Sequence, residues 1–147
     1  MSDEMHVGEV QGEACKEVLP GICDLFAGQV PEKEQEGFRL YALDPGSVLL
    51  VARADTGVVG VLAGSYPVSI DFAGLVARVD SLLVHRERRR RGIATLLLEH
   101  FRRLARDRGC AHLVTDVPFR EGREAARLFW ESRRFRESDL RQFSSTV

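Results

Sequence analysis

No apolar run in this sequence approaches the ~20 residues that cross a bilayer. The longest, such as Val48–Ala52, are a fraction of that, and Met1–Glu9 lack a basic stretch leading into an apolar one. Neither a membrane span nor a membrane partner is expected, and the expected compartment is the cytoplasm. Cysteine is scarce: Cys15, Cys23 and Cys110 are odd in number and match neither paired metal-ligand spacing nor a disulfide framework, so free thiols are expected. His6, His85, His100 and His112 share no ligand spacing with each other or with the cysteines, so no metal is expected. The glycine patterns of dinucleotide-binding folds and phosphate-binding loops are missing too, G-x-G-x-x-G and G-x-x-x-x-G-K alike. Aromatic residues do not interleave with the basic ones and no helix-turn-helix pattern occurs, which argues against a nucleic-acid partner.

What is present suffices for one domain. The 147 residues are 44% hydrophobic, and a chain of that size buries roughly two-thirds of the surface its unfolded form exposes. We find no repeat, linker or low-complexity segment, so a single domain over 1–147 is expected. The net charge of −1 hides an asymmetry: residues 1–75 carry 4 basic and 12 acidic side chains, and residues 76–147 carry 17 and 10. An anion should therefore bind the second half.

Periodicity supplies the elements. Cys15, Val18, Leu19, Ile22, Leu25 and Phe26 keep helical spacing across Pro20 and Gly21, as one kinked helix or two short ones. A second helix opens near Pro31 and runs toward Leu43. Ser47–Arg53 and Val58–Ser65 read as a hairpin around Ala54–Gly57, and a third strand as Leu75–Val84, with a loop or strand end over Pro67–Gly74. From Gly92, Ile93, Leu96, Leu97, His100, Phe101, Leu104 and Ala105 make an apolar stripe on a helix ended by Gly109. A strand at Ala111–Val117, a helix at Arg123–Arg133 and a strand from Phe135 to about Phe143 complete the order.

The chemistry concentrates where the strand ending at Val84 gives way, through the arginine-rich stretch from Arg86 to Arg91, to the helix opening at Gly92-Ile93-Ala94-Thr95. The first amides of a helix have no partner within it and lie at the positive end of its dipole, so they can donate to phosphate oxygens. Glycine at 92 lets a ligand approach the backbone, Ala94 is nearly as small, and Arg89, Arg90 and Arg91 add charge-assisted donors.

Arg89, Gly92 and Ala94 fill the Arg/Gln-x-x-Gly-x-Gly/Ala pattern of the GNAT acetyltransferases, between an apolar strand and a strongly periodic helix. Ala126 to Phe135 resembles that family's A-x-x-L-Y-E-x-x-G-F segment, with Trp130 in the tyrosine place, Arg134 in the glycine place, and Arg123 where asparagine often precedes the helix. The likeness covers nearly everything from Met5 on. It implies an α/β (α+β) fold: a mixed, mostly antiparallel sheet flanked by about four helices and splayed between the strands ending at Val84 and beginning near Ala111. It implies acetyl-CoA as co-substrate, held by Arg89–Thr95, paired along Leu82, Leu83 and Val84, and packed by Trp130. The acyl group would pass to an amine acceptor, a small molecule or a protein.

Asp80 is the first candidate for the base, with Asp116 as another. For either, a structural hydrogen-bond acceptor is the competing reading. Ser81 competes with Asp80 for the cleft-facing place, because neighbouring strand residues alternate unless a bulge intervenes. A non-catalytic acyl-CoA-binding module is the alternative function, and a homodimer stays open as an assembly.

Overall fold

In the computed structural model the described residues are 4–25, 31–116, 123–136 and 145. Two compact units follow each other along the chain, Met1–Thr115 and Asp116–Val147.

The first unit is built on a five-stranded sheet. Its strands are β1 (His6–Glu9), β2 (Ser47–Ala54), β3 (Gly57–Ser65), β6 (Ala77–Val84) and β7 (Leu113–Thr115), paired in that spatial order. The first three pairings are antiparallel and β6 with β7 is parallel. The mixed, mostly antiparallel sheet expected from the sequence is therefore present. Strands β2 and β3 are buried along nearly their whole length, as strands covered on both faces should be.

One face carries α1 (Cys15–Cys23) and α2 (Glu32–Leu43), whose Cys15, Val18, Ile22 and Phe38 pack with Leu49, Val51, Val61 and Ala63. The other face carries α3 (Ile93–Asp107), drawn close by missing side chains. A Cβ added at Gly60 would lie 2.9 Å from Ile93 Cγ2, and one at Gly64 2.6 Å from Phe101 Cζ. Since Phe101 is fully buried, Gly64→Ala should destabilise the protein by ~1–3 kcal/mol through overpacking. A thermal melt checks this against Gly74→Ala, where a Cβ meets nothing within 4 Å and no change is expected.

Several elements depart from their expected bounds. Pro20 lies inside α1, which runs unbroken through Gly21, because the Asp24 amide still reaches Pro20 O (3.1 Å) and Gly21 sits close against Val58. The buried stripe of α3 is Ile93, Leu97, Leu98, Phe101 and Ala105; Leu96, expected inside, is exposed. The third strand begins at Ala77 rather than Leu75. Gly74–Leu75 is instead β5, which pairs with β4 (Val68–Ser69) in a separate ribbon, so Pro67–Gly74 is not simply a loop. β1 was not expected at all. The strand expected at Ala111–Val117 is β7 over Leu113–Thr115, with residue 117 outside the described residues.

The second unit contains α4 (Arg123–Ser132), within one residue of its expected span. It ends in a left-handed turn at Arg134 (φ 68°), whose amide reaches Glu131 O while that of Phe135 reaches Trp130 O. The family's glycine place is thus a position that needs positive φ. Of the strand expected from Phe135 to about Phe143, Phe135 and Arg136 are not in strand conformation, and the remainder lies outside the described residues.

Candidate active site

The end of β6 is built into a turn of successive backbone caps. His85 N–H donates to Val59 O (2.8 Å), Arg88 N–H to His85 O (2.8 Å), and Glu87 N–H to His85 Nδ1 (3.2 Å), closing a short 3₁₀ turn over Arg86–Arg88. The Arg88 guanidinium reaches Thr56 Oγ1 (3.1 Å) and so ties this turn to the β2–β3 hairpin, while Arg89 Nε returns to Val84 O (3.5 Å).

Arg90 and Gly92 then both take positive φ, 65° and 80°. Gly92 caps α3 from the left-handed region, with its carbonyl accepting Leu96 N–H at 3.0 Å. A Cβ there would meet nothing within 4 Å, so open space lies over the helix start. Because Ile93 is buried against Gly60, it offers the turn only its backbone amide; Arg90 and Arg91 are exposed, and Ala94 and Thr95 are half-buried. The first-turn amides and the positive end of the helix dipole thus lie next in the chain to exposed Arg90 and Arg91.

Beside this turn the sheet opens. β7 pairs with β6 only at Ala77–Val79, and the Thr115 hydroxyl donates to Val79 O (3.1 Å) where that pairing stops. From Asp80 to Val84 no described residue pairs with β6 as a strand on that side. Among the described residues that stretch of backbone edge is left without a strand partner, which is the arrangement an extended ligand needs to add as a strand. Across β3, Leu82 and Val84 stand opposite Leu62 and Gly60, and Leu83 opposite Val61.

Asp80 sits where the splay begins. Ala63 faces Ser81 while Gly64 faces Val79, which leaves Asp80 as the extra residue of a β-bulge. Its carboxylate accepts from Ser65 Oγ (2.7 Å) and from Arg78 Nε (3.1 Å). The bulge breaks strict alternation: Asp80 lies with Ser65 and Arg78 on the α2 side, the side to which Ala63, opposite Ser81, also belongs. Burial pushes the Tyr41 phenol well above the ordinary tyrosine range, and the Asp80 carboxylate acts in the same sense. Tyr41 also lines an open depression of about 510 Å³ with Leu40, Leu43, Asp44 and Ser47. Sequence reading missed Ser65 and Arg78 as partners of Asp80, because cross-strand neighbours are set by pairing and carry no shared spacing in the chain.

In the second unit Asp116 is exposed, and half-buried Trp130 stacks edge-on to Phe129 and Phe135 with centroids 5.0 and 4.9 Å away. Cys15 and Cys110 are buried and Cys23 partly so; all three are free, and burial raises each thiol above its usual range. No group of His, Cys, Asp and Glu among the described residues could hold a metal, and no helix among them is long and apolar enough to cross a membrane.

Residues 17–135 match the Acetyltransferase (GNAT) family. No curated protein matches the chain. Among solved structures, an aminoglycoside N-acetyltransferase AAC(6')-Iy in complex with CoA superposes with a TM-score of 0.79 at 15% identity, over 99% of this chain and 97% of that one. AAC(6')-Ih from Acinetobacter baumannii, an aminoglycoside antibiotic 6'-N-acetyltransferase, gives 0.78 at 19% identity, over 98% and 99%. A ribosomal-protein-alanine N-acetyltransferase from Brucella melitensis biovar Abortus 2308 gives 0.74 at 17% identity, over 98% and 100%.

Proposed function

Because the chain belongs to the GNAT acetyltransferase family, we propose that it transfers the acetyl group of acetyl-CoA to an amine by direct attack of the amine on the thioester. The observation that carries this reading is the junction of a strand edge, Asp80–Val84, that no described residue pairs on the β7 side, with a basic turn and a helix start at Gly92, whose φ is 80°. Arg89, Arg90 and Arg91 with the amides of Gly92, Ile93, Ala94 and Thr95 would hold the pyrophosphate. The backbone of Leu82, Leu83 and Val84 would pair with the pantetheine arm.

Acetyl-CoA supplies the activated acyl group. An amide near Leu83 or Val84 would hold the negative charge that develops on the thioester oxygen. The acceptor must lose a proton before attack, to water or to Asp80. An indole N–H cannot protonate the leaving sulfur, so Trp130 is no acid. None is required: general acid catalysis supplies ~10²–10⁴ in rate, and a thiol with a pKa near ~8.5 departs as thiolate at neutral pH.

The similar structures include enzymes for aminoglycosides and for a ribosomal protein's alanine, which supports an amine acceptor. The acidic first half of the chain favours a cationic one. Trp130 in the tyrosine place favours one second reading, a domain that binds acyl-CoA without turnover. Incubation with acetyl-CoA and a panel of amines, followed by mass spectrometry, should yield an acetylated product; binding without product for every amine would establish the second reading instead.

A further inference from the structure

We propose that Thr56 is a positioning residue for the coenzyme, because through Arg88 it fixes the turn that presents the amides of Arg89 to Thr95. The inference rests on the reading of that turn as the pyrophosphate site. From Arg89 to Thr95 no amide donates to a backbone acceptor among the described residues. Free amides suit a phosphate, but they leave the segment without backbone bonds of its own to set its shape. Arg90, at φ 65°, also stands in a region that residues with a Cβ visit only at a cost. The two ends of the segment must therefore hold it.

At the downstream end stands α3, where Gly92 O accepts Leu96 N–H and Ile93 packs against Gly60. The upstream end is tied to the β2–β3 hairpin by backbone and by side chain. Ala52 faces Gly60 while Arg53 faces Val58, which makes Val59 the extra residue of a bulge, and its carbonyl accepts His85 N–H at 2.8 Å. Further along, half-buried Arg88 donates through Nη2 to Thr56 Oγ1 at 3.1 Å, in the loop that joins the two strands. The bond gives the start of the segment a second fixed point on a different element. A segment anchored at both ends loses less freedom when a phosphate arrives. Coenzyme affinity scales with the fraction of molecules that already hold the competent shape.

Calorimetry with coenzyme A on the full chain tests this without need of turnover. Thr56→Val keeps the β-branched shape, and position 56 has no positive φ that would strain it. Affinity should fall ~3–10-fold, the net worth of one hydrogen bond. The gap should not close as salt is added, because no charge has changed. Thr56→Ser keeps the acceptor and should bind like the unaltered chain. In Arg88→Met the valine change should cost nothing further. In acetyl transfer, KM for acetyl-CoA should rise with kcat unchanged. Unchanged affinity in Thr56→Val, an equal loss in Thr56→Ser, or the same loss again in Arg88→Met would overturn the proposal and leave the pyrophosphate site standing. No binding of coenzyme A by the unaltered chain, or binding untouched by Gly92→Glu, would overturn that site and this proposal with it. If Thr56→Val lowers the melting temperature by more than a few degrees, Thr56→Ala is read by the same criteria.

Discussion

Asp80→Asn is expected to lower kcat/KM by ~10² or more, within general-base magnitudes, while coenzyme affinity stays little changed. Asparagine keeps the volume. Its single carbonyl oxygen can still accept from two donors, and its amide can turn toward Ser65 Oγ, whose hydroxyl can reverse its role. The ion pair to Arg78 is lost, but with that side chain 38% exposed the pair contributes only ~0–1 kcal/mol to folding. The variant therefore removes the negative charge with little loss of architecture. The deficit should be largest well below the pKa of the acceptor amine, where nearly every acceptor molecule arrives protonated, and should shrink as the pH rises. Retained activity at neutral pH would rule Asp80 out as base. A collapsed thermal melt would make the carboxylate a structural node that gathers Ser65 and Arg78.

How much of this was legible in the sequence depends on the range of the forces involved. The turn from Arg89 to Thr95 was readable because everything that shapes it is local: an apolar strand, a glycine with φ 80°, and a helix whose buried residues recur every three or four positions. The same periodicity misassigned one residue. Leu96 and Leu98 flank the centre of the stripe, and only the docking of α3 against Gly60 and Gly64 decides that Leu98 goes inside.

β1 carried no signal, since its four residues are mostly exposed and only pairing with β2 makes them a strand. Strand alternation left Asp80 and Ser81 undecided, and the bulge at Asp80 settles where its carboxylate lies. A bulge is a property of two paired strands, and no pattern within β6 announces it. The Ser65 contact was invisible for the same reason, because its bond to Asp80 exists only once β3 pairs with β6. By contrast, the departure at Arg134 became intelligible once φ was known: the family's glycine satisfies a left-handed helix end, and this chain makes the same turn with arginine at φ 68°.

Gly92→Glu is expected to weaken acetyl-CoA binding at least tenfold, about 1.4 kcal/mol. Two effects add. At φ 80° any side chain with a Cβ is strained, by roughly 1–2 kcal/mol, though asparagine visits this region more readily than other residues. The added Cβ itself has room, so the fold is not expected to collapse around it. The second effect is electrostatic, because a carboxylate over the start of α3 would occupy the ground proposed for phosphate and oppose its charge. Gly92→Asn carries a smaller share of the first effect and none of the second. Calorimetry on the two variants thus separates strain from charge: Glu should bind clearly more weakly than Asn, and the gap should narrow as added salt screens the repulsion. Equal losses would mean that only backbone conformation matters at position 92. Unchanged affinity in Gly92→Glu would move the coenzyme away from this turn altogether, because no polyphosphate held by the first amides of α3 could tolerate a carboxylate one residue before them.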